Sequence, residues 1–348
     1  MRNYLLKKTL NGILVMAGVV VVVFFLFQRF GDPSRLVMGQ TGDVATRENI
    51  RKELYLDKPK WKQFLLYMND VSPLSVYRSE EIKKKQINGL FVGGGIQVGI
   101  KLPYLRRSYQ SRREVWDILT EALPGTIVLA IAAMIIAIAA GIPLGMLAAV
   151  KRNTWMDTSS IFASVLGISA PSFFMGIIIA YLFGFVLSDF TGLSMTGSLF
   201  DTDPFAGRSI RLENLLLPAI TLGIRPLAII TQLTRSSMLD VLSQDYIRTA
   251  YAKGLSRRVV ITKHALRNAL NPVITAITGW FAELLAGAFF VEYIFGWKGI
   301  GKFTVDALEN LDFPVVMGSV LVSSFFFIVI NLLADVLYGM VDPRISAS

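Results

Sequence analysis

The stretch LSQDYIRTAYAKGLSRRVVITKHALRNALNPVITA, Leu242–Ala276, decides how the rest of this chain is read. Both of its neighbours are apolar runs long enough to cross a bilayer. The stretch itself is too charged to do so: Arg248, Lys253, Arg257, Arg258, Lys263 and Arg267 stand against Asp245. A compact basic loop between two spans belongs in the cytoplasm. Its pattern predicts a short helix, a glycine turn and a second helix. Ser243 is placed to cap a helix running from about Gln244 to Lys253. Gly254 can take the left-handed turn that ends it. Ser256 starts the next segment, and the pair Asn271–Pro272 marks the return to the membrane. Ala250 and Ala252 keep part of the first helix thin, so another protein can approach closely. The residues leave three roles open: a docking surface, a helix resting on lipid headgroups, or a passive linker.

Working outward, the composition agrees with a membrane protein. Of 348 residues, 53% are hydrophobic and only 17% charged, with a mean hydropathy of +0.54. A soluble domain with so little polar surface would aggregate. The net charge of +10 would suggest nucleic acid in a soluble protein. Here, basic residues beside spans set orientation, and no nucleic-acid partner is implied. There is no cysteine, which excludes disulfides and thiol chemistry. A single histidine, His264, cannot build a histidine metal site alone.

Six apolar runs follow in order: about Thr9–Gln28, Leu123–Val150, Ser160–Leu187, Leu215–Leu239, Pro272–Tyr293 and Val315–Met340. The first is too long for a secretion signal and lacks a cleavage pattern, so it reads as an uncleaved span. Arg2, Lys7 and Lys8 precede it, and KRNTWMD after the second run is short and basic. Both termini are therefore expected in the cytoplasm. The expected fold is an all-α integral membrane protein with six transmembrane helices and a long first periplasmic segment. Its parts are residues 1–28 (first span), 29–121 (periplasmic segment) and 122–348 (five-helix core), with the cytoplasmic loop at 240–271. In the periplasmic segment, RFGDPSRLVMG reads as turns. The stretch around Pro59 reads as one or two amphipathic helices broken at that proline, with Leu54, Trp61, Phe64, Leu65 and Met68 as their buried side. NGLFVGGGIQVGIKLPYL reads as strands or turns.

Chemistry-bearing motifs are sparse. GGGIQVG lacks the Gly-Lys-Ser/Thr ending of a nucleotide-binding loop. No nucleophile–base–acid set and no zinc-ligand cluster is evident, so the chain is not read as an enzyme. If it pumps a solute, a partner must supply the energy. Arg225 and Glu283 stand out inside expected spans, where a charge is costly unless paired or wet. They are candidates for pathway or partner contacts, with misplaced span ends as the bland alternative. Pro171 and Pro226 read as kinks.

The loop DYIRTAYAKGLSRRVVITKHALRNALNPVIT resembles the cytoplasmic loop of permease subunits of bacterial ABC importers. That loop carries Glu-Ala-Ala, three residues, then Gly. Here Arg248, Thr249 and Ala250 precede Gly254 at the same spacing, as in the dipeptide/oligopeptide/nickel branch. Further pieces are similar in order: FGDPS from Phe30, LPGTIVLAIAA from Leu123, GIPLGMLAAVKR from Gly141, LLLPAITLG from Leu215, LTRSSMLDVL from Leu233, VEYIFGWKGIGK from Val291 and NLLADVLYGMVDPRI from Asn331. The resemblance implies a subunit of the bacterial inner membrane that forms a peptide pathway with a second permease, homologous or identical. Two cytoplasmic ATPase subunits would dock on the loop through Asp245, Arg248, Thr249, Ala250, Gly254 and Leu255. An extracytoplasmic substrate-binding protein would deliver the peptide. ATP and magnesium would sit in the ATPases, and this chain would hold no cofactor or metal. Import of nickel or another small solute is the alternative, as is a membrane scaffold without transport. The stretch from about Ser72 to Ile100 is an addition to the family pattern, either a surface insertion or a contact for the binding protein.

Overall fold

The computed structural model describes residues 2–29, 48, 51, 55–203, 207–286 and 288–341. The expected turns at RFGDPSRLVMG, residue Leu54 and the C-terminal tail lie outside the described residues, apart from Arg29 and Val341. The chain is mostly helical. Among the described residues, four helices are long and apolar enough to cross a membrane. Their apolar cores lie at Leu6–Phe27, Val115–Val150, Glu213–Leu242 and Phe313–Val336. The helix pair Trp155–Ser169 and Ser172–Val186 adds a fifth if counted as one span, though it bends by 107° at its break. Pro171 explains that bend: it occupies the N-cap of the second piece and has no N–H to continue the first. Pro226, in contrast, lies inside the unbroken Glu213–Leu242 helix.

The expected fifth span is divided differently from its reading. One helix runs Leu266–Ala286 and a short one follows at Phe289–Ile294. The first carries Arg267, Asn268, Asn271 and Glu283, and this polar content keeps it out of the apolar set. Val115–Val150, at 36 residues, begins earlier than expected. At 1.5 Å per residue it is about 54 Å long, more than a bilayer core requires.

The chain divides into two compact units. One contains Ala122–Lys302 together with Met1–Thr9 and Phe325–Ser348. The Glu213–Leu242 helix is its centre, packing on Trp155–Ser169, Ser172–Tyr181 and Leu266–Ala286. Close approach is achieved with small residues: Gly145 faces the backbone of Thr231 and leaves no room for a Cβ. An apolar core runs through Leu129, Ala133, Leu222, Ile230, Val291, Phe295 and Trp297. This unit also holds a two-stranded ribbon, Phe200–Asp203 against Gly207–Ile210.

The other unit contains Leu10–Glu121 and Phe303–Ser324. Strands β1 (Leu74–Arg78), β2 (Gly89–Gly93) and β3 (Ile96–Lys101) form an antiparallel sheet in the order β1-β3-β2. Leu74 pairs with Ile100, which pairs with Leu90; Val76 pairs with Val98, which pairs with Val92. This register puts all six aliphatic side chains on one face, and that face is exposed. Ser75, Tyr77 and Lys101 point the other way and are buried. Asp70, 1% exposed, anchors the polar interior. It accepts from Tyr77 Oη at 2.9 Å, Lys85 Nζ at 2.9 Å and Arg106 at 3.4 Å, while Lys101 Nζ donates to its backbone carbonyl. Burial pushes the Lys101 ammonium down to about 8, with the Asp70 carboxylate acting in the opposite direction. Asp312 joins this unit to the start of the last helix: it accepts from Ser108 Oγ and from the Tyr109 N–H at 2.9 Å.

Candidate functional site: the loop helix and the cleft above it

The loop helix spans Asp245–Ala252. Gln244, not Ser243, holds its N-cap position. Ser243 Oγ instead donates to the Asp240 carbonyl at 2.7 Å, closing the end of the preceding span. This is the back-bonding that competes with capping wherever a serine ends one helix just before another. Gly254 adopts φ +78°, the left-handed conformation expected of it. Ser256 occupies the N-cap of the next helical turn, Arg257–Val259. That turn runs on through a π-helical stretch, Val260–Ala265, into Leu266–Ala286. The return at Asn271–Pro272 is therefore no break: Pro272 lies inside the helix. His264 is half-buried in the π-helical stretch.

The loop helix has two distinct sides. Ile247 (2% exposed) and Ala250 (7%) sink into an apolar cluster with Ala149, Met238, Val260, Ala265 and Ala269. Ala250 is thus a core residue of this chain, and the expectation that it keeps an outer face thin fails there. Asp245, Arg248, Thr249 and Ala252, at i, i+3, i+4 and i+7, form the exposed side. Ala252 is the small residue on that side. Arg248 lies 3.7 Å from Asp245 with both side chains mostly exposed, too weak a pair to hold the helix. The helix is held by its apolar seam and by Asn268 Nδ2, which donates to Tyr246 Oη at 2.8 Å. Leu255, just past the turn, is exposed. The helix is therefore a rigid body seated on the ends of Val115–Val150 and Glu213–Leu242.

Seven residues before Leu242, Arg235 grips Asp157 with two hydrogen bonds, one of them 2.8 Å from its terminal nitrogen. Asp157 also accepts from the Asn153 N–H at 2.9 Å. The bidentate pair fastens Glu213–Leu242 to the start of Trp155–Ser169. Further along the same helix, Arg225 lines a cleft of about 80 Å³ together with Glu283, Trp280, Ala170 and Ser172. The Arg225 guanidinium lies over the Trp280 ring at 5.7 Å. Two charges singled out separately in sequence thus share one cleft, beside the 107° bend. Pro226 lines it too, while Pro171 sits at the break itself.

Another buried carboxylate closes the opposite end of the core. Glu292, 0% exposed, accepts from Thr126 Oγ1 at 2.8 Å and from the N–H groups of Gly301 at 2.7 Å and Lys302 at 3.2 Å. It neutralises the first orphan donors of the Ile300–Glu309 helix. Sequence reasoning named neither Glu292 nor the Asp157–Arg235 pair. Their signal was a lone acid or base within a turn or two of a span end. Among the described residues, no three His, Asp or Glu side chains converge as metal ligands would.

Several long apolar helices, a bent one, and a small helix seated on their ends define a multi-span membrane protein. Residues 141–347 match the family "Binding-protein-dependent transport system inner membrane component", and residues 1–130 match the N-terminal part of such membrane components. This chain belongs to that family. It is 38% identical to the dipeptide transport system permease protein DppB of Escherichia coli, over 99% of both chains. It is 36% identical to the glutathione transport system permease protein GsiC of the same organism, also over 99% of both. A solved chain from the MetNI methionine ABC transporter, in an inward-facing conformation, overlays with a TM-score of 0.48 at 14% identity, covering 65% of this chain and 97% of that one. Membership makes the chain an inner-membrane transport permease that works with an ATPase and a substrate-binding protein.

Proposed function

We propose that this chain carries di- or oligopeptides inward across the bacterial inner membrane as one of two permeases. The observation that carries the substrate class is full-length similarity to a dipeptide and a glutathione permease. The chain crosses the membrane six times, with both termini in the cytoplasm. Its parts are a first span at 1–28, a periplasmic segment at 29–121 and a permease core at 122–348, with the loop at 240–271 inside the cell. Two ATPases hold ATP and magnesium and bind the loop helix on its Asp245–Arg248–Thr249–Ala252 side, while this chain has no catalytic site of its own. The rigid seating of that helix on two span ends supports the reading, because a displaced rigid body moves both spans together. Arg225 and Glu283 line the pathway; their shared cleft beside the bend supports that role. At about 80 Å³ it holds two or three waters, so a peptide passes only when the paired permeases open it wider.

The test is purification with the native partners and reconstitution in liposomes. Dipeptides and short oligopeptides should stimulate ATP hydrolysis and accumulate inside. Stimulation by nickel but by no peptide would replace the substrate class. Partner binding without any uptake would leave a scaffold.

A further inference from the structure

The helix Lys60–Val71 has its sides reversed for a helix in water. Its buried positions are Gln63, Tyr67 and Asp70, turned toward the ionic interior. Trp61 (66%) and Leu65 (57%), one turn apart, are exposed instead. They belong to the apolar stripe that the sequence marks as the buried side. Lys60 and Lys62, also exposed, flank Trp61. Phe64, between the two sides, meets the ring of Phe24 at 5.2 Å and stacks on Phe25 at 6.0 Å; Tyr67 stacks on Phe24 at 5.6 Å. Phe24 and Phe25 lie in the last turn of the apolar stretch Leu6–Phe27, and Phe25 is exposed in line with Val22 and Leu26. The helix's bare apolar strip therefore continues the bare apolar side of the first span, at that span's end.

We propose that Lys60–Val71 is an interfacial helix lying in the outer headgroup layer of the bilayer. The proposal rests on the first span crossing as described under the proposed function. Trp61 and Leu65 sit at the boundary with the acyl chains, where an indole is favoured. Lys60 and Lys62 run their methylene stems along that boundary and place their ammonium groups among the lipid phosphates. An amphipathic helix of this kind buries its apolar side about 5–10 Å deep. It is a lipid contact rather than a protein contact because its strip adjoins the lipid-facing side of a span. It fixes the depth of the first span and the height of the sheet behind it.

The absence of cysteine makes the test direct. Leu65→Cys, Val15→Cys and Lys84→Cys are each spin-labelled in the whole complex, reconstituted in nanodiscs of phosphatidylethanolamine and phosphatidylglycerol. Collision with oxygen reports lipid, and collision with a water-soluble nickel chelate reports water. The label at 65 should show an oxygen-to-chelate ratio several-fold above that at 84, and below that at 15. A ratio at 65 equal to that at 84 places the helix in water and overturns the proposal. Low access to both probes at 65 means a protein covers the strip, and also overturns it. A label at 15 outside lipid removes the crossing itself and the proposal with it. Trp61→Glu is the second variant: it should move the label at 65 toward water, and no movement counts against the helix resting on lipid.

Discussion

Glu292 is one side chain serving three donors. Replacing it with alanine strands the N–H groups of Gly301 and Lys302 and the Thr126 hydroxyl in a fully buried place. Each buried donor left without a partner costs about 1–3 kcal/mol. We therefore predict that Glu292→Ala lowers the unfolding midpoint of the detergent-solubilised complex clearly, while Glu292→Gln, which keeps one acceptor oxygen, lowers it less. An unchanged midpoint for the alanine variant would show that the network contributes little. Arg225 and Glu283 were legible beforehand because an ionisable group inside an apolar run stands out by itself. Glu292 was not, because the run containing it ends within a few residues, and nothing local says whether it faces water. Asp157 and Arg235 are 78 residues apart, and only the packing of two helices brings them together.

At the scale of the element, the loop helix was readable in outline: charge excluded it from the membrane, and glycine ended it. Which side it buries was not readable, because Ile247, Ala250 and Ala252 all fit an apolar seam until its neighbours are placed. The structure separates the buried side of the helix from the exposed side, on which the proposed docking would fall. Ala252→Trp adds bulk on the exposed side and should weaken ATPase attachment while leaving membrane insertion intact. Ile247→Asp buries a charge in the apolar cluster and should loosen the helix and uncouple ATP turnover from uptake. Gly254→Val forces a β-branched residue to φ +78° and should act like Ile247→Asp, at a cost on the order of 1–2 kcal/mol. ATPase attachment, ATP turnover and uptake, measured separately in reconstituted complexes, check all three; wild-type attachment by Ala252→Trp would return the helix to the headgroup reading. The outer elements follow the same division. The glycine-rich hairpin β2–β3 was readable only as strands or turns, and β1 was not readable at all, since its partner β3 lies some 20 residues away. Amphipathic periodicity located Lys60–Val71 but could not say that its polar side is the one turned inward.

At the scale of the molecule, composition gave an expectation of six spans, whereas four helices, or five with the bent pair, are long and apolar enough among the described residues; charge gives the expected orientation. The basic loop and basic N-terminus predict that a cysteine at Ser256 is shielded in intact cells, while cysteines at Lys84 and Thr196 react with an impermeant thiol reagent. Labelling at 256 under those conditions would invert the topology. The sheet of β1, β2 and β3 carries a different message. Folding there encloses Asp70, Lys85, Lys101 and Arg106 and leaves Leu90, Val92 and Ile100 outside. Unfolding the three strands themselves uncovers mainly polar groups, whose hydration lowers the heat capacity, and little new hydrocarbon, whose hydration raises it, because their aliphatic side chains are already exposed. The share of the heat-capacity change that comes from these strands therefore falls below the usual value of about 12–15 cal/mol/K per residue. A small share of this kind flattens what the sheet adds to the dependence of stability on temperature, so its ionic interior holds almost equally well in the cold and in the warm.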